Sequence, residues 1–129
     1  MSSTIRSNSE APPDQWLTMS NQGTDCFLEL LLLAASALEQ TPAQRSLIAF
    51  LAERREINRI APGTAGFDVD EMPWEADSPG EDVSFLLRAV EGAKRRSGWE
   101  QLDYAPREEI VFPWLERFAQ MLGKHGEGP

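Results

Sequence analysis

The chain has 129 residues and a formal net charge of −9 at pH 7. This length is enough for one domain, whose core can form without disulfides or metal ions. The charge disfavours binding to nucleic-acid phosphates or to anionic membranes, and it favours association with basic proteins. Cys26 is the single cysteine, so no disulfide can form within the chain, which fits a reducing compartment such as the cytoplasm.

The N-terminal residues show little periodicity. Residues 1–11 are rich in Ser, Asn and Thr, so we expect a disordered tail there. A short helix is expected near residues 13–19, with Trp16 and Leu17 docking on the rest of the domain.

The leucine-rich segment that begins at Cys26 decides the architecture. It resembles the hydrophobic region of a signal peptide, but residues 1–25 contain one base, Arg6, and Glu29 interrupts the apolar run. The run is also too short to span a membrane. Wound as a helix, it is apolar except for one narrow polar stripe that contains Glu29. We therefore expect a central helix at 25–39, covered by neighbouring helices on most sides.

Capping signals and apolar periodicity predict three further helices. Thr41, Pro42 and Gln44 form a capping box, and Ser78 to Glu81 form a second one. An apolar stripe marks the last helix, in which Pro113 predicts a kink or a break. These three helices are expected at residues 42–57, 79–97 and 106–122.

Together these elements predict an all-α fold, a single-domain bundle of four main helices. The domain would occupy residues 12–123, between tails at 1–11 and 124–129. A long acidic loop is expected at 61–78, and loops of this length in compact domains are often functional or disordered.

The acidic loop combines carboxylates with large apolar side chains. Phe67, Met72 and Trp74 alternate with acids, whereas disordered connectors are poor in such residues. The loop is therefore either a solvated flexible connector or a segment pinned to the bundle by its apolar members. In the second case the carboxylates would point outward and form a docking site for a basic protein.

Several enzyme classes find little support in the residues. His125 is the single histidine and lies near the end of the chain, which disfavours catalytic triads and zinc sites. No phosphate-binding glycine loop is present, and Pro73 occupies the position where a calcium-binding EF-hand loop requires glycine. A buried Cys26 thiol would be inert.

We expect a non-catalytic cytoplasmic domain that binds a basic protein and needs no cofactor or metal ion. In size, acidity and helical content the chain resembles the small immunity and antitoxin proteins, a resemblance of general properties that rests on no motif. The candidate partner-binding residues lie in the acidic loop and in the aromatic connector before the last helix: Asp68, Asp70, Glu71, Trp74, Glu75, Asp77, Trp99 and Tyr104.

Two alternatives remain open. The first is a small enzyme that uses the carboxylates of the acidic loop, either alone or with a divalent metal ion. The second is a self-associating structural subunit, in which the last helix or the small residues Ala89 and Gly92 pack against a second copy.

Overall fold

The computed structural model describes residues 2–76, 79–95 and 108–126, with side chains from residue 111 onward in the last range. The described residues form four α-helices: α1 (Asn21–Ser36), α2 (Pro42–Ile60), α3 (Pro79–Arg95) and α4 (Glu108–Gly126). Three strands accompany them: β1 (Ser2–Arg6), β2 (Leu17–Ser20) and β3 (Phe67–Asp68). Single 3₁₀ turns lie at Pro13–Gln15 and Val69–Glu71.

The strands form one mixed sheet in the order β2-β1-β3. β1 runs antiparallel to β2, from the Ser2–Ser20 pair to the Ile5–Leu17 pair. It runs parallel to β3, where Ile5 pairs with Phe67. The all-α prediction is therefore wrong, and the fold is a small α+β arrangement.

The sequence pattern did not predict the sheet, and the reason is physical. β1 buries only Ser3 and Ile5, and β2 only Leu17 and Met19, so neither strand carries a long apolar alternation. Residues 1–11, expected to be a disordered tail, thus contain the central strand of the sheet. The expected helix near 13–19 is a 3₁₀ turn followed by β2.

α1 is the central helix, in contact with the other three. It begins at Asn21, earlier than expected, because the Ser20 hydroxyl caps it by accepting a hydrogen bond from the Gly23 amide at 3.0 Å. Its polar stripe faces α2, where Arg55 bonds Asp25 at 3.0 Å and Glu29 at 3.4 Å.

The capping box at the start of α2 is confirmed. The Thr41 hydroxyl accepts from the Gln44 amide at 3.2 Å, and the Gln44 side chain accepts from the Thr41 amide at 3.1 Å. α2 continues to Ile60, beyond the expected end at residue 57.

α3 and α4 complete the helical layer. A Cβ atom added at Gly92 would lie 3.4 Å from the Ala34 Cβ of α1, and Ala89 is fully buried, so this small-residue patch packs within the chain. α4 is one helix that includes Pro113, so the chain does not break into two helices there. It runs on to Gly126 and includes His125, which was expected in a tail. Among the described helices, none combines the length and the apolar character needed to cross a membrane.

Candidate functional site

The acidic loop is fixed to the body by its apolar members. Phe67, Val69 and Met72 are buried, and the Phe67 ring packs edge-on against Phe50 of α2 with ring centroids 5.2 Å apart. The backbone amide of Asp70 donates to the carbonyl of Ser7 at 3.2 Å. The structure thus matches the second of the two alternatives for this loop, a segment held in place with some of its carboxylates outward.

A glycine permits the close approach of the loop to β1. A Cβ atom at Gly66 would lie 2.4 Å from the Thr4 carbonyl oxygen, a distance too short for any residue with a side chain at this position. Just before it, Gly63 turns the chain with a φ of 91°, a conformation that favours glycine. These two glycines bring the acidic segment against the edge of the sheet.

Asp68 is held by Arg6 in a bidentate ion pair. The Nε and Nη2 atoms of Arg6 donate to the two carboxylate oxygens at 2.7 and 3.0 Å, and Asp68 is buried while Arg6 is partly exposed. The hydrogen bond to Asp68 and the negative charges nearby raise the pKa of Arg6 further above its ordinary value, against the opposing effect of desolvation. The expected outward position of the Asp68 carboxylate is therefore not found.

Asp70 and Glu71 carry the outward charge of the loop. Both are exposed, and one carboxylate oxygen from each lies within 4.8 Å of the other and of Asp68. Oxygen clusters of this kind suit hard divalent cations. Because both Asp68 oxygens already bond Arg6, a cation at this position would have to compete with the guanidinium group.

A groove of about 400 Å³ lies beside this cluster on the outer face of the sheet. Its walls include Thr4, Arg6, Trp16, Gly66, Asp68 and Glu71. Trp16 is 36% exposed as a residue. Its indole nitrogen donates to the Ala11 carbonyl at 2.8 Å, and the Arg6 guanidinium lies 5.8 Å from the centroid of its ring. The lining of the groove thus combines an aromatic ring with carboxylates.

Trp74 connects the acidic segment to the C-terminal end of α4. Its indole nitrogen donates to the Val69 carbonyl at 2.8 Å, and its ring stacks on His125 with centroids 4.6 Å apart. It is only half-buried, but its polar atom and one ring face are already occupied. Trp74 therefore supports the turn that presents Asp70 and Glu71.

The remaining candidates divide into two groups. Glu75 is partly buried, and its amide donates to the Asp82 carboxylate at 2.8 Å, which ties the end of the loop to the start of α3. Asp77, Trp99 and Tyr104 lie outside the described residues.

Sequence reasoning missed Arg6 and Trp16 as members of the site. Both lie in a segment expected to be a tail or a short helix, and their role depends on the pairing of β1 with β3. One signal was available in the sequence. Arg6 is the single base within residues 1–25, and all the charged residues of the acidic loop at 61–78 are acids that could pair with it.

Cys26 is a buried free thiol in α1. Burial, together with the charges of Glu29 and Asp25, raises the pKa of Cys26 to about 11. The thiolate that nucleophilic chemistry needs is therefore scarce at neutral pH.

Comparison of the chain with models of protein families, with curated proteins and with solved structures gives no match.

Proposed function

We propose that this chain is a small acidic domain that binds a basic protein and has no catalytic role of its own. Its binding surface, called here the acidic face, consists of Asp70, Glu71 and the groove beside Trp16. The observation that carries the proposal is that two exposed carboxylates, on a turn anchored by buried residues, line or adjoin the same groove as the partly exposed Trp16.

The position of the carboxylates supports binding because it is fixed before a partner arrives. Asp70 and Glu71 belong to a 3₁₀ turn whose first residue, Val69, is buried, as is Met72, which follows the turn. A surface that is already ordered loses less conformational entropy on association. The turn therefore presents charge more effectively than a flexible acidic connector would.

The local charge balance also supports a basic partner. Asp68, Asp70 and Glu71 are opposed by one guanidinium group, that of Arg6, and the whole chain carries a net charge of −9. Such a field accelerates encounter with a positively charged surface and disfavours acidic competitors. Trp16 adds an aromatic group of the kind that is enriched at binding hot spots.

The structure gives weaker support to the two alternatives. A metal-dependent enzyme would need Asp68 free, whereas Arg6 holds both its oxygens. Calorimetric titration with Ca²⁺ and Mg²⁺ tests this alternative directly. Self-association through Ala89 and Gly92 would need a patch that already packs against α1, and sedimentation at several concentrations tests association through any other surface.

The test of the proposal compares two double variants with equal charge changes. Asp70→Asn with Glu71→Gln removes the exposed charges of the acidic face, whereas Glu39→Gln with Glu53→Gln removes two exposed charges from other parts of the surface. Proteins captured from native lysate at low salt are purified, and their dissociation constants are measured by calorimetry at two salt concentrations.

For a true partner we expect the acidic-face variant to bind about tenfold more weakly, while the control variant binds nearly as well as the wild type. Trp16→Ala should weaken binding as well, and it should do so at both salt concentrations because its contribution is not a charge. Equal losses in the two double variants would show that only the overall charge matters, and the acidic face would then have to be abandoned.

A further inference from the structure

Four buried side-chain atoms have no hydrogen-bond partner within residues 2–76, 79–95 and 111–126. They are Ser3 Oγ, Asn21 Oδ1, Arg54 Nε and Asn58 Oδ1. Buried polar atoms in native proteins are nearly always bonded, either to other protein atoms or to ordered water. The contacts of neighbouring groups place the four in one region of the fold.

Three residues of α2, each one helical turn after the last, contact the sheet or residues beside it. Phe50 packs against Phe67 of β3. One helical turn later, the Arg54 Nη1 atom donates to the carbonyl of Gly66 at 3.5 Å, and Gly66 lies against the backbone of Thr4 in β1. Arg54 therefore reaches the sheet at the middle of β1.

The next turn of α2 reaches the residue that follows β2. The Asn58 Nδ2 atom donates to the carbonyl of Asn21 at 2.9 Å. Asn21 follows Ser20, which pairs with Ser2 at the beginning of β1. Ser3 lies between these two contacts, and its side chain is on the buried side of the strand.

The four unpartnered atoms match the bonding capacity of water. The Arg54 Nε–H group can only donate, the two asparagine oxygens can only accept, and the Ser3 hydroxyl can donate. A water molecule accepts two hydrogen bonds and donates two. One water can therefore accept from Arg54 and Ser3 while it donates to Asn21 and Asn58.

Rotation of the Asn58 amide does not remove the problem. Its Nδ2 atom faces the Asn21 carbonyl, so a rotated amide would place two acceptor oxygens against each other. The Asn58 oxygen therefore needs a donor from another group. Because Asn58 is only 4% exposed, bulk solvent does not supply that donor. Internal waters typically satisfy groups of this kind, with about three hydrogen bonds each.

We propose that Ser3, Asn21, Arg54 and Asn58 form a binding site for an internal water molecule that joins β1 to the ends of α1 and α2. The site lies on the buried side of β1, whereas the groove of the acidic face lies on its outer side. It is therefore independent of the proposed function.

The experiment counts long-lived internal waters by ¹⁷O magnetic relaxation dispersion in the full chain. Asn58→Leu replaces the acceptor, and with it the donor to the Asn21 carbonyl, by an apolar group of similar size, and we expect the dispersion amplitude to fall by the contribution of one water. Ser3→Ala leaves three of the four partners and should shorten the residence time of that water. Ser2→Ala is the matched control, because Ser2 is the exposed neighbour of Ser3, and it should change neither quantity.

Two results would overturn the proposal. One is a dispersion that is the same in the wild type, Asn58→Leu and Ser3→Ala. The other is a scalar coupling by NMR across a direct hydrogen bond that engages the Asn58 side-chain oxygen with a protein donor. Ser3→Ala removes only one hydroxyl, so its result decides the question even where Asn58→Leu does not fold.

Discussion

α1 and β1 are both buried, but different contacts hold them in place. On α1, buried residues such as Phe27, Leu28 and Leu31 recur at the helical period, and the helix contacts the three other helices. On β1, Ile5 is equally buried, but its contacts come from Leu17 and Phe67, which lie far away in the sequence. α1 is therefore held by many side chains, whereas the sheet depends on a few pairings between short strands.

This difference has consequences for local stability. Elements with many buried contacts open only in global unfolding, whereas short strands with few contacts open at lower free-energy cost. β3 has two residues, and the Arg6–Asp68 ion pair reinforces its pairing with β1. We therefore expect the helical body to carry most of the stability and the sheet to fix the position of the acidic face.

The largest effect is expected at the centre of the helical body. Phe27 is fully buried and contacts Phe118 edge-on, with ring centroids 5.5 Å apart. Phe27→Ala should lower the free energy of unfolding by about 3–5 kcal/mol, because it removes a large buried ring and leaves a cavity. Urea denaturation measures the loss. Leu33→Ala is the control in the same helix, since Leu33 is 38% exposed, and it should cost less than about 1 kcal/mol.

The next largest loss of stability is expected in β1, and it tests whether this strand belongs to the folded domain. Ile5→Ala should lower the free energy of unfolding by about 2–4 kcal/mol, because Ile5 is buried and pairs with Leu17 and Phe67. Ser9→Ala, at an exposed position in the same N-terminal segment, should have almost no effect. If the two variants unfolded at the same urea concentration, β1 would have to be treated as a tail. Amide hydrogen exchange provides a second measurement, with β1 expected to exchange before α1.

The sequence predicts the two kinds of structure unequally. The capping box at Thr41 and the apolar period of α1 are local signals, and both are found in the structure. The sheet requires Ile5 to pair with Phe67 across nearly half the chain, and no local pattern reports such a pairing. A strand that buries only Ser3 and Ile5 offers too few residues for an alternation to be recognised.

The candidate site shows the same limit. The apolar residues Phe67 and Met72 predicted that the acidic loop could be pinned, because they are out of place in a solvated connector. The identity of the inward carboxylate could not be predicted, since Asp68 turns inward only where Arg6 of β1 receives it. Arg6 and Trp16 were therefore missed and the orientation of Asp68 was wrong, while the exposed pair Asp70 and Glu71 was included.

A pH-dependent effect of intermediate size is expected in α1. The pKa of Cys26 is raised from its ordinary value of 9.0 to about 11 in the folded protein. Above pH 9 the unfolded chain therefore loses this proton while the folded chain keeps it, so stability falls as the pH rises, by roughly 1.4 kcal/mol per pH unit until about pH 11. Below pH 9 both states hold the proton and the contribution is complete.

The measurement compares the wild type with Cys26→Ala by urea denaturation at pH 8 and pH 11. Other groups titrate in this range, but they are common to both proteins, so the difference between the two isolates Cys26. We expect the stability of the wild type relative to the variant to fall by about 2 kcal/mol between these pH values. A difference that does not change with pH would mean that the thiol is accessible to water in the folded state.

The smallest effect is expected at the helix caps, where a single hydroxyl can be removed. Thr41→Ala should lower the free energy of unfolding by about 1 kcal/mol, and Thr41→Ser should restore most of it, because serine supplies the same acceptor to the Gln44 amide. Ser20→Ala removes the corresponding acceptor from the Gly23 amide at the start of α1. Thr41 lies in a link between helices, whereas Ser20 is also the last residue of β2. Equal losses in urea denaturation would show that both caps act locally. A clearly larger loss for Ser20→Ala would show that the cap of α1 also holds the sheet, so that the two regions unfold together.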